Sequence, residues 1–229
     1  MNYFSNLLNA LDLGSARDML FRLIAVVVCL CVHEMCHALA AYALGDSTAK
    51  SQHRLSLNPF RHIDWLGLAM LAVAGFGWAK PVMVDPRHFK HPKLGMALTA
   101  LAGPISNMIL AFVLLFATKL ILSGGSYAHW IISLLISTAT LSIGLGIFNM
   151  IPIPPLDGSK VLFSVLPDRA YNLLMRYERY GMILLLALVL FGAGGSFLSQ
   201  ATESVLLFFA RLTGLNISIQ NHFIYLSSF

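Results

Sequence analysis

From Asp18 to Leu44 the chain is built mainly from Leu, Ile, Val, Ala and Cys, with neither proline nor glycine before Gly45. About 20 apolar residues suffice to cross a bilayer as a helix. A backbone in hydrocarbon must also satisfy its own hydrogen bonds, so a helix is the form such a segment takes. Two more segments reach span length, 94–122 and 130–151, and a shorter one occupies 181–198. Composition agrees: of 229 residues, 58% are hydrophobic and 11% charged, against about 25% charged in soluble domains. A disordered chain, a coiled coil and a water-soluble enzyme are excluded. The expected fold is an all-α polytopic membrane protein with about four full transmembrane helices, multi-pass in the lipid bilayer.

The remaining segments fit around those spans. Residues 1–16 are too polar to cross and lack the pattern of a signal peptide, so they read as an interfacial segment. Residues 17–198 form the membrane-embedded domain, and 199–229 a tail lying on the membrane. The apolar stretch 66–78 contains Gly67, Gly75 and Gly77. As a helix it would measure about 20 Å, short of the ~30 Å core, so a re-entrant hairpin over 66–82 is expected. The net charge of +5 is dispersed over a hydrophobic chain and reads as a topology signal, not as a nucleic-acid surface. If 66–78 does not cross, Lys50, Arg54, Arg61, Lys80, Arg87, Lys90, Lys93, Lys160, Arg169, Arg176 and Arg179 share one side. Arg17, Arg22, Lys119 and Arg211 take the other, which makes the richer side cytoplasmic. Cys29, Cys31 and Cys36 lie in one apolar segment and read as small buried hydrophobes.

Against that background two acidic residues stand out. Glu34 lies inside the first span, and Asp157 follows a proline-rich span end, Ile151-Pro152-Ile153-Pro154-Pro155-Leu156-Asp157-Gly158. Placing a carboxylate at membrane depth costs several kcal/mol, so each requires a function. Glu34 is flanked in His33-Glu34-Met35-Cys36-His37. Residues four apart share a helix face, so the two imidazoles can hold one Zn2+ while Glu34, one position round, reaches the attacking water. Catalytic zinc takes three protein ligands, and Asp157 is the best third, although Asp-Gly-Ser would also cap the following helix well. The re-entrant topology brings Asp157 out on the same side as His37, and a crossing 66–78 would not. His53, His62 and Asp64 in the first loop read as solvated groups.

These motifs resemble the site-2 protease family of zinc intramembrane metalloproteases. The likeness rests on His33-Glu34-Met35-Cys36-His37 and on Asn149 with Pro155-Leu156-Asp157-Gly158. It extends to Gly103-Pro104-Ile105-Ser106-Asn107 and to the run from Gly75 to Val82. It is greatest for the minimal prokaryotic branch without PDZ or CBS domains. The resemblance implies a site facing the cytoplasm of a prokaryotic cell membrane, one Zn2+ per chain, and transmembrane proteins as substrates. It also implies that Asn107 stands at the active site as a neutral donor to the oxyanion. Gly75, Gly77, Trp78, Lys80 and Pro81 would then form a strand-like edge that captures an unwound substrate. Two other classes compete. A divalent-metal transporter would need more polar residues along the outer half of the spans, and a non-catalytic membrane chaperone would not need Glu34.

Overall fold

The computed structural model describes residues 16–62, 64–65, 67, 80–125, 129–190, 194–220 and 223–226. The expected interfacial segment, and Gly75, Gly77 and Trp78 of the expected hairpin, lie outside these. Helix α1 spans Ala16–Ala43. Its end follows from Gly45, which adopts φ +108°. Asp46 N donates to Ala41 O at 2.9 Å and Gly45 N to Tyr42 O at 3.1 Å, the paired bonds of a glycine-terminated helix. A short turn of helix, α2 (Thr48–Ser51), and a 3-10 turn at Pro59–Arg61 follow.

Lys80 N donates to His62 O at 2.8 Å. The chain therefore stands at one place before and after residues 63–79, at the α1 end of the molecule. Residues 80–85 form neither helix nor strand, with Asp85 extended, and lead through a 3-10 turn, Pro86–His88, into α3 (Pro92–Ser123). Pro92 occupies the first turn of that helix, where its missing N–H costs nothing. Then come α4 (His129–Asn149), α5 (Asp157–Ser164), α6 (Asp168–Leu190) and α7 (Gly195–Thr213). A two-stranded antiparallel hairpin, β1 (Ile217–Gln220) with β2 (Phe223–Leu226), pairs Ile217 with Leu226.

Helix α3 is the hub, packing on α4, α1, α5 and α7. Its inward face is made of small residues, Gly95, Ala97, Ala100, Gly103, Ala111, and this lets neighbouring helices approach closely. At Gly146 of α4 an added Cβ would meet Met108 Cε at 2.8 Å and Pro104 O at 3.2 Å. Beyond this contact lies the apolar core of Ala111, Leu115, Ala139, Ile143, Leu206 and Ala210. Large apolar side chains such as Leu20, Ile24, Ile109, Val113, Phe116 and Leu120 face outward instead. Three described helices are long and apolar enough to cross a membrane: Leu20–Ala43, Pro92–Ser123 and His129–Asn149.

Two expectations change. The segment 181–198 is not one span: α6 ends at Leu190, and Gly194, at φ +82°, caps the separate helix α7. Mean hydropathy hides the run Gly192, Gly194, Gly195, where the absence of Cβ makes positive φ easy. The count of four full spans is not confirmed: three helices of membrane-crossing length and apolarity stand among the described residues. Nor does 205–212 lie on the surface as a brief tail. It belongs to α7, whose Leu206 and Ala210, four apart on one face, are fully buried in the core.

Candidate metal centre

His33 and His37 sit a turn apart on α1, their rings edge-on at 4.5 Å between centroids. Asp157 arrives from the first turn of α5, 124 residues beyond His33. The chain reaches it by folding back directly after α4: at Gly158 an added Cβ would fall 2.2 Å from Met150 O. Only glycine permits that approach. Asp157 does not cap α5, since Leu156 holds the capping position. Its Oδ2 stands 3.1 Å from both His33 Nε2 and His37 Nε2.

The donor set fits zinc. Ligand atoms at about 2.0–2.1 Å from a tetrahedral ion stand roughly 3.3 Å apart, close to the spacing found. All three residues are buried, and their ligand atoms lie within 4.8 Å of one another. Among the described residues this is the metal-capable group of three. His37 Nδ1 lies 2.7 Å from Thr99 O, so that nitrogen carries the proton and Nε2 keeps its lone pair for metal. His33 Nδ1 faces the Asn107 side-chain amide at 3.2 Å. The atom facing it is Nδ2, while Asn107 Oδ1 is buried without a partner. Turning the amide about its last bond exchanges the two, and Oδ1 then accepts from Nδ1–H while Nε2 stays free for metal. Asn107 is fully buried, and Ser142 Oγ donates to its backbone carbonyl at 2.8 Å.

In front of the triad opens a cavity of about 420 Å³, lined by His33, Glu34, His37 and Asp157 on one side and by Pro81, Val82, Met83 and Val84 on another. Glu34 is half-buried and accepts from Val82 N at 3.1 Å. Asn149, Lys160, Thr99 and Tyr171 add further polar groups to the lining. Asn107 is not among the lining residues; it stands behind His33. Of the expected substrate-binding residues, Pro81 lines the cavity, Lys80 is exposed at its edge, and the other three lie outside the described residues. His62 is a further departure: it is fully buried, with Nε2 2.6 Å from Ser56 O, because it supports the loop that receives Lys80.

Sequence reasoning missed three contributors. The Thr99 carbonyl and the Val82 N–H are backbone groups, which no residue type advertises. Asp46 read as a polar helix end, yet its carboxylate is fully buried. Burial alone would raise its pKa, but hydrogen bonds from Thr48, the Asp85 N–H and His88 hold it below the ordinary carboxylate value.

Comparison with known proteins places this chain in a family. Residues 117–192 match the description of peptidase family M50. YwhC of Bacillus subtilis, which carries a provisional zinc-metalloprotease name, is 36% identical over 201 residues, covering 84% of this chain and 92% of its own length. Rip2 of Mycobacterium tuberculosis, named in the same way, is 32% identical over 168 residues, 72% of this chain and 64% of its own. No solved structure matches the chain. The fold and site define a membrane-embedded zinc metalloprotease. The chain belongs to peptidase family M50, the site-2 proteases.

Proposed function

We propose that this metalloprotease hydrolyses peptide bonds within or near transmembrane segments of membrane-protein substrates, from a site turned towards the cytoplasm. The observation that carries this reading is the position of the cavity. Its triad is buried between α1 and the turn after α4, two helices of membrane-crossing length and apolarity. Basic residues Lys50, Arg54, Arg61, Lys80, Arg87, Lys90 and Lys93 cluster in the connection at that end, which supports the cytoplasmic orientation.

When bound by His33, His37 and Asp157, zinc supplies Lewis acidity, lowering the pKa of water towards ~7 and polarising a carbonyl. The chain's own residues do the rest. Glu34 takes a proton from the attacking water and delivers it to the leaving amine, and its bond from Val82 N–H aims it into the cavity. The segment 80–85, which forms neither helix nor strand and whose Pro81–Val84 line the cavity, would capture substrate as an added strand, with Lys80 and Pro81 at its entrance. We further place Asn107 as the residue that orients His33, because its amide is committed to that ring and is withdrawn from the cavity.

The test is cleavage of a model transmembrane substrate by purified protein in detergent or liposomes. Glu34→Gln should lower kcat by at least about 100-fold with zinc retained, and Asp157→Ala should lose zinc and activity together. Equal cleavage by wild type and Glu34→Gln would end the reading.

A further inference from the structure

The catalytic carboxylate depends on a segment that has no partner strand among the described residues. Three backbone N–H groups hold residues 80–88: Lys80 N to His62 O at 2.8 Å, Val82 N to Glu34 Oε2 at 3.1 Å, and Asp85 N to Asp46 Oδ2 at 2.7 Å. The first contact is to a loop. The last returns the segment to α1, the helix that carries Glu34 itself.

Asp46 is built for that contact. Gly45 ends α1 at positive φ, and an added Cβ there would meet His88 O at 3.3 Å, so the helix end and the Pro86–His88 turn lie against each other. The Asp46 carboxylate is wholly removed from solvent. Such a group must have its lone pairs satisfied. Oδ1 accepts from Thr48 N at 2.9 Å, Thr48 Oγ1 at 2.5 Å and His88 Nδ1 at 2.9 Å, while Oδ2 takes the Asp85 N–H. One carboxylate thus ties the far end of the 80–88 segment to the end of α1. The neighbouring Asp85 carboxylate is committed outward to Arg87 and does not compete.

We infer that Asp46 is a positioning residue for hydrolysis: it anchors segment 80–88 to α1 and so registers the Val82 N–H on Glu34 and the wall Pro81–Val84 over the metal ligands. This deepens the hydrolytic reading and rests on it. Asp46 touches neither metal nor substrate, so its loss leaves the zinc site whole and acts on Glu34 through the segment.

The isosteric Asp46→Asn variant keeps the shape but turns an NH2 towards one of the four donors. Hydrogen–deuterium exchange of the purified full chain reads the anchor directly. Exchange in 82–88 should accelerate at least about tenfold, the size expected for losing a hydrogen bond to a charged group, with α1 and α3 unchanged. In parallel, kcat/KM for a model transmembrane substrate should fall about tenfold or more, through kcat as well as KM, at about one zinc per chain. His88→Ala, which removes one contact from the half-exposed side, should give a smaller change in the same direction. Unchanged exchange in Asp46→Asn overturns the anchor. Faster exchange with unchanged kcat/KM overturns its role in hydrolysis, and so does a loss of activity explained entirely by lost zinc or a lowered Tm. Wild type and Glu34→Gln cleaving alike would fail the hydrolytic reading instead, and the exchange arm would still decide the anchor.

Discussion

Gly103 contributes no ligand, yet replacing it with alanine should damage the metal centre as much as replacing a residue that orients one of the imidazoles. A Cβ at this position would stand 2.4 Å from His37 Nε2, 2.5 Å from His37 Cε1 and 2.6 Å from His33 Cε1. Ordinary carbon contacts begin near 3.5 Å, so α3 or the rings must retreat by about 1 Å. Neither ring is free to move alone. His37 is fixed by Thr99 O at 2.7 Å, His33 by Asn107 at 3.2 Å, and the two rings abut each other. Relieving the clash should cost about 1–3 kcal/mol as overpacking. Because a working metal site tolerates only about 0.5 Å of misplacement, zinc affinity should fall by about 10- to 100-fold, or roughly 1.4–2.7 kcal/mol. The assay is competition with a chelator of known affinity, read beside cleavage at saturating zinc. Gly144→Ala supplies the control, since its Cβ would meet nothing nearer than Thr202 Oγ1 at 3.6 Å. It should be silent or stabilise α4 by about 0.5–1 kcal/mol. A Gly103→Ala protein that binds zinc and cleaves like wild type would refute the packing argument.

Other outcomes follow from the same geometry. Asn107→Leu should weaken zinc binding by about 10- to 100-fold, with activity restored by excess zinc. Persistent loss of kcat at full zinc would instead identify Asn107 as an oxyanion donor. The anchor made by Asp46 should be insensitive to pH from 8 to about 5. Its carboxyl is held below its ordinary value of 3.8, so the stabilisation is complete above that value and is lost as pH falls through the folded value beneath it. Exchange protection in 82–88 measured across pH would show this; protection lost well above the ordinary carboxylate range would refute it.

Much of the site was legible because helical periodicity is local. His33 and His37 four apart, with Glu34 beside them, specify one face of a helix from the sequence alone. The Leu156-Asp157-Gly158 turn added the carboxylate that the structure brings to the two imidazoles, and it shows why the glycine is needed: the backbone of Met150 occupies the space of a Cβ. The side of the metal on which Asn107 would lie was not legible, since that depends on how α3 is rotated against α1. Asp46 was missed because an acid after a helix end ordinarily faces water. The break before α7 was not legible for a different reason: hydropathy averaged over 181–198 does not register that Gly194 takes positive φ and starts a new helix.

The glycine of α3 also bears on inhibition. Backbone at Gly103 closes the rear of the imidazole pair, so a chelating compound would reach them from the cavity side. Every such compound meets the same two imidazoles and carboxylate and gains no selectivity from them. Discrimination between one member of this family and another has to be sought at Met83, Val84, Met96 and Tyr171, the cavity-lining side chains that are free of the metal's demands.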